Sequence, residues 1–91
     1  MSYNYSGTIA AGGVAQVLIP PDTTGQLSGY QIENTSAGIL YIEDGVGMTA
    51  GLTSEQIPAG GTYTSPDFLK LSAGVTIYGA SIGQSFYCKA Y

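Results

Sequence analysis

Apolar residues fall at every second position in two stretches of the chain, Tyr30-Gln31-Ile32-Glu33 and Val75-Thr76-Ile77-Tyr78. Each is followed, after a short glycine-bearing link, by a second run: Ile39 to Glu43, continuously apolar up to Ile42, and Gln84 to Tyr91, which alternates. Period two is the signature of a pleated strand with one face buried. The spacing therefore predicts two β-hairpins, one through Asn34 to Gly38 and one through Gly79 to Gly83. In the second, Val75 and Ile77 share an apolar face with Phe86, Cys88 and Ala90. Thr76 and Tyr78 share the other face with Tyr87, Lys89 and Tyr91. In the first, Tyr30 and Ile32 face the core together with Leu40 and Ile42. Gly79 and Gly83 are read as positions that take positive φ without a Cβ penalty.

The remaining runs are shorter and punctuated by turn residues. Val14 to Ile19 reads as a strand stopped by Pro20-Pro21, because proline cannot donate to a ladder. Glu55 to Pro58 reads as a short edge strand, Pro58 to Gly61 as a turn, and Thr62 to Thr64 as the strand after it. Phe68 to Leu71 is expected under the final hairpin, and Asp44 to Ser54 is a glycine-rich loop. Residues 1–7 carry no core-forming period and are expected to be an arm ordered by a neighbour, anchored by Tyr3 and Tyr5. Residues 8–91 form one domain. No window has helical periodicity, so the fold class is all-β: a small antiparallel β-sandwich or flattened jelly-roll-like barrel of about six to eight short strands. The two long alternating units overlay at an offset of forty-five residues, with Ile32 on Ile77, Ser36 on Ser81, Gly38 on Gly83 and Tyr41 on Phe86. Two connections meeting one turn requirement explain so few matches better than duplication does.

Composition changes this picture in one respect. Charged residues are 9% of the 91, against about 25% in an average soluble domain. The surface must then be covered by hydroxyls, amides and tyrosines, or be partly hidden in an assembly. With a net charge of −4, two lysines and no arginine, the chain would repel a phosphate backbone and lacks the basic residues that dock on anionic lipid. Neither nucleic acid nor membrane is an expected partner. The start, MSYNYSG, lacks the basic region and apolar core of a secretory signal, so synthesis in a cytoplasm is expected.

The chemistry available is narrow. The chain has no histidine, which removes the usual proton shuttle and the usual base beside a Ser or Cys nucleophile. The single cysteine, Cys88, permits no internal disulfide and falls on the apolar face, as a small buried hydrophobe does. Zinc would find one thiolate and no imidazole. Glu43 and Asp44 are adjacent and point to opposite sides of a strand. Gly45 to Ala50 matches the phosphate-binding pattern G-x-G-x-x-A but lacks the helix that would supply the amide dipole. No enzyme activity, metal or cofactor is expected. Asn4-Tyr5-Ser6 and Asn34-Thr35-Ser36 match the glycosylation sequon and are read as arm and turn. Eight tyrosines remain, each with an apolar body and a polar tip suited to subunit contacts or sugar stacking. Tyr3, Tyr5, Tyr78, Tyr87 and Tyr91 are the candidate interface residues.

The segment Tyr30-Gln31-Ile32-Glu33-Asn34-Thr35-Ser36-Ala37-Gly38-Ile39-Leu40-Tyr41-Ile42, then Ile57-Pro58-Ala59-Gly60-Gly61-Thr62-Tyr63, then Ile77 to Phe86 (IYGASIGQSF), resembles small virion proteins of tailed bacteriophages. These show an I-x-N-x-S…L-Y-I hairpin, an L-P-A-G-G-x-Y turn and a terminal I-x-V-Y-G-A-x-x-G-Q-x-F hairpin in the same order. The resemblance covers roughly residues 27–91. It implies a β-sandwich on the outer surface of the phage head, acting without catalysis as a capsid decoration or cement protein that bridges subunits of the major capsid protein. A homo-oligomer, with a trimer preferred, is expected by analogy with the local threefold positions of a shell. A tail or head-fibre component is the alternative within the virion, and a small carbohydrate-binding module is the alternative outside it.

Overall fold

The computed structural model describes residues 3–22, 25, 27–44, 55–65, 71 and 73–91, the side chain of Asp44 excepted. Among them there are nine strands and no helix. The strands are β1 (Tyr3–Asn4), β2 (Gly7–Thr8), β3 (Gln16–Ile19), β4 (Tyr30–Asn34), β5 (Leu40–Asp44), β6 (Glu55–Ile57), β7 (Thr62–Thr64), β8 (Val75–Gly79) and β9 (Ser85–Ala90). They form two antiparallel sheets. One has the order β1-β9-β4-β7, with β2 also on β9; the other has the order β3-β8-β5-β6.

The alternation along the strands decides what each sheet buries. Tyr30, Ile32 and Asn34 of β4 and Phe86, Cys88 and Ala90 of β9 point inward from the first sheet, and the intervening residues do not. Leu40 and Ile42 of β5 and Val75 and Ile77 of β8 point inward from the second. These side chains join Ile9, Leu18, Ile19, Leu27, Ile57 and Leu71 in one core. The fold is thus a small β-sandwich, as the period-two pattern predicts. Leu71 belongs to the core, whereas Phe68 to Lys70 and the G-x-G-x-x-A match lie outside the described residues.

Strand pairing differs from the prediction. Neither expected hairpin exists: β4 pairs with β7 and β9, and β5 pairs with β6 and β8. The links β4–β5 and β8–β9 are arches that cross from one sheet to the other. The two arches lie antiparallel side by side, with Asn34 opposite Phe86 in one sheet and Leu40 opposite Gly79 in the other. The physical reason is that alternation reports which side of a strand is buried, not which strand lies beside it. A hairpin and an arch bury the same residues.

The segment read as an arm also lies differently. Tyr3 and Asn4 are opposite Ala90 and Lys89, and Gly7 and Thr8 are opposite Phe86 and Ser85. Residues 3–8 therefore lie along the chain's own first sheet as two short strands on β9.

Candidate functional site

Four connections cross between the sheets at one end of the sandwich: Ile9 to Ala15, Thr35 to Ile39, Pro58 to Gly61 and Ala80 to Gln84. Loops that leave one sheet and enter another carry backbone groups with no ladder to satisfy them, and these must find partners or lose solvation. Here the loops satisfy one another. Ile9 N donates to Gln84 O and Gly83 N to Ile9 O, both at 2.9 Å, and Gly13 N donates to Gly79 O at 2.9 Å. Thr35 N donates to Ser85 O at 3.2 Å, and the Thr35 hydroxyl reaches the Ser85 hydroxyl at 2.8 Å.

Asn34 is the hub of this end. Its side chain is fully buried, at 0% exposure, and every polar atom of it is engaged. Nδ2 donates to Gly38 O at 2.7 Å and to Ile57 O at 2.9 Å. Oδ1 accepts from Ser36 N at 2.9 Å and from the Ser36 hydroxyl at 2.7 Å, an Asx turn that starts the arch. The Asn34 backbone exchanges bonds with Gly60 and Gly61 at 2.9 and 2.8 Å. One residue thus clamps the first arch to the β6–β7 turn.

Gln84 does the corresponding work for the second arch. Its Oε1 accepts from Ser81 N at 2.9 Å within its own turn, while Nε2 donates across to Ile39 O at 3.2 Å. The side chain lies over Gly79, where a Cβ would come within 2.6 Å of Gln84 Oε1 and 2.8 Å of Ile9 Cγ1. Gly79 is therefore a space requirement and not the positive-φ position the sequence reading made it. Gly83, at φ +85°, fulfils that reading.

Between the two arches lies an open groove of about 720 Å³, lined by residues 36–39, Tyr41 and residues 80–85. Its rim carries aliphatic side chains in water: Ile82 is 73% exposed and Ile39 is 44% exposed. Tyr41 packs edge-on against Tyr78, with ring centroids 5.8 Å apart. A concave surface of cross-linked loops with apolar knobs is suited to a docking contact.

The five tyrosines nominated from sequence do not come together. Tyr78 lies on the outer face of the second sheet and Tyr87 on the outer face of the first, on opposite sides of the molecule, because β8 and β9 belong to different sheets. Tyr91 continues the β4–β9 ladder, exchanging backbone bonds with Gly29 at 2.9 and 3.0 Å. Tyr5 packs against the core and donates its N–H to Cys88 O at 2.8 Å, while Tyr3 stands at the β1 edge opposite Ala90. Sequence reasoning missed Asn34, Gln84, Ile39 and Ile82 as site residues. A polar residue at an inward-facing position of β4 was the available signal for the first of these.

Among the described residues, no group of three or more Cys, Asp or Glu side chains is placed to hold a metal ion. Cys88 is fully buried, and burial pushes its thiol up to about 12. No protein-family model, curated protein or solved structure matches the chain.

Proposed function

We propose that the protein is a non-enzymatic structural component of a tailed-phage virion, in the first place a decoration or cement protein that bridges capsid subunits. One observation carries this reading. The three motifs that resemble small virion proteins are far apart in the sequence, yet all of them meet at one end of the sandwich. Asn34, Ser36 and Ile39 come from the first motif, Ile57, Gly60 and Gly61 from the second, and Gln84 from the third; Asn34 bonds to Ile57, Gly60 and Gly61, and Gln84 Nε2 donates to Ile39 O and, at 3.4 Å, to the Ser36 hydroxyl. The motifs are thus parts of a single hydrogen-bonded scaffold. What that scaffold presents is the groove with Ile39 and Ile82 on its rim, a shape for binding a protein surface.

Self-association as a trimer on the shell belongs to the same reading. Because Tyr78 and Tyr87 lie on opposite faces, a subunit contact through tyrosines uses one face or the other. The test is fractionation of purified particles into heads and tails, with and without a variant carrying Ile39→Asp and Ile82→Asp. The wild-type chain is expected on heads, and the variant is expected to be folded but absent from them. Recovery of the wild-type chain only with tails, or its absence from particles, overturns the decoration role.

A further inference from the structure

We propose that the outer face of the first sheet, on the side of the molecule away from Tyr78, holds a binding site for a neutral sugar ring centred on Tyr87. The side chains come from three neighbouring strands: Gln31 and Glu33 from β4, Thr62 from β7, and Tyr87 and Lys89 from β9. Register places them together, since Gln31 is opposite Lys89, and Glu33 is opposite both Tyr87 and Thr62. They enclose a depression of about 150 Å³. Taking about 30 Å³ as the share of one liquid water, that is the space of roughly five waters, a single small ring and not a drug-sized ligand.

The chemistry of the lining selects the class. Tyr87 is 50% exposed and brings to the depression an aromatic ring, the kind of surface on which the C–H side of a pyranose stacks. Hydroxyl groups both donate and accept, and the lining supplies both complements: the carboxylate and amide oxygens of Glu33 and Gln31 accept, while the amide, ammonium and hydroxyl of Gln31, Lys89 and Thr62 donate. Among the described residues none of these five side chains has a hydrogen-bond or ion-pair partner. One carboxylate and one ammonium cancel, which favours an uncharged ligand. A phosphorylated ligand would meet Glu33 with no arginine anywhere in the chain.

The tyrosine platform inferred from sequence reduces here to a single ring with polar neighbours. The site shares no residue with the arch-end groove, so either can fail alone. The test is amide chemical-shift mapping of the labelled protein against glucose, galactose, mannose, N-acetylglucosamine and soluble dextran, each at millimolar concentration. At least one probe is expected to shift Gln31, Glu33, Tyr87 and Lys89. Tyr87→Ala is expected to weaken that binding at least tenfold, Glu33→Ala to weaken it as well, and Tyr78→Ala to leave it unchanged. Absence of shifts at these amides with all five probes, or shifts that survive both Tyr87→Ala and Glu33→Ala, overturns the proposal.

Discussion

Asn34 concentrates more of the fold's specificity than any large apolar residue at the same end. Replacing it by alanine would take the Asn34 donor from the carbonyl of Ile57, leave that of Gly38 with only the longer bond from the Ser36 hydroxyl, and break the Asx turn at Ser36. At about 1–3 kcal/mol for a buried group left unsatisfied, Asn34→Ala is expected to cost at least about 1 kcal/mol, read as a shift of the urea midpoint at constant m. Asn34→Asp should be no milder, because a carboxylate cannot donate to either carbonyl. A loss below about 0.5 kcal/mol would show that the hub is not needed. Cys88 gives a second expectation at this scale. Its thiol rises from 9.0 to about 12 on burial, so the unfolded state loses its proton first. The contribution of Cys88 to stability is therefore complete below pH 9 and declines as pH rises above it. A Cys88→Ala variant should show less of the alkaline loss. In the native protein at pH 8 a thiol-specific reagent should react only as fast as the chain opens.

The arches are where sequence and structure part. Burial of the inward positions was legible: Val75, Ile77, Phe86, Cys88 and Ala90 are buried as their spacing predicts, and so are Tyr30, Ile32, Leu40 and Ile42, while Thr76, read on the outer face, is buried as well. Pairing was not legible, because it depends on which way the connection turns, and a five-residue link with glycine can close a hairpin or cross a sandwich. The repeat at forty-five residues has a structural counterpart, since Tyr30–Asn34 shifts onto Val75–Gly79. It fails beyond the turn. Inward positions run from Asn34 to Leu40 in one arch and from Gly79 to Phe86 in the other, so the overlay of Tyr41 on Phe86 matches a half-exposed residue with a buried one. The arch pairing can be trapped covalently. Gly29 and Tyr91 exchange both backbone bonds, which makes Ile32 and Cys88, three positions along the ladder, a pair without such bonds. In such a pair the Cα atoms lie about 4.5 Å apart, within the range for a disulfide. Ile32→Cys is expected to form a bridge to Cys88 on oxidation, detected by peptide mass. Failure to bridge, in a variant that folds, would contradict the β4–β9 register.

At the scale of the whole molecule, most ladders join strands distant in the chain; among the described pairs only β5–β6 joins consecutive strands. Closing such loops precedes any gain from the contacts, so refolding is expected in milliseconds to seconds, as for other sandwiches, and a microsecond phase carrying the full stopped-flow amplitude would contradict it. The position of β1 has a different consequence. Because Tyr3 is opposite Ala90, the two ends of the described chain leave together from the end of the sandwich opposite the arches. Tension applied between them would act on one pair of backbone bonds at a time and peel β1 from β9 like a zipper. Tension applied between Ile82 and Tyr3 would instead pull β9 and β1 toward opposite ends and load the bonds that β1 and β2 make with β9 together. Single-molecule pulling should therefore find the protein weak through its two ends and strong from the arches to the first strand. A tether at the first strand combined with a grip at the arches would hold against stress that a two-ended tether would not survive.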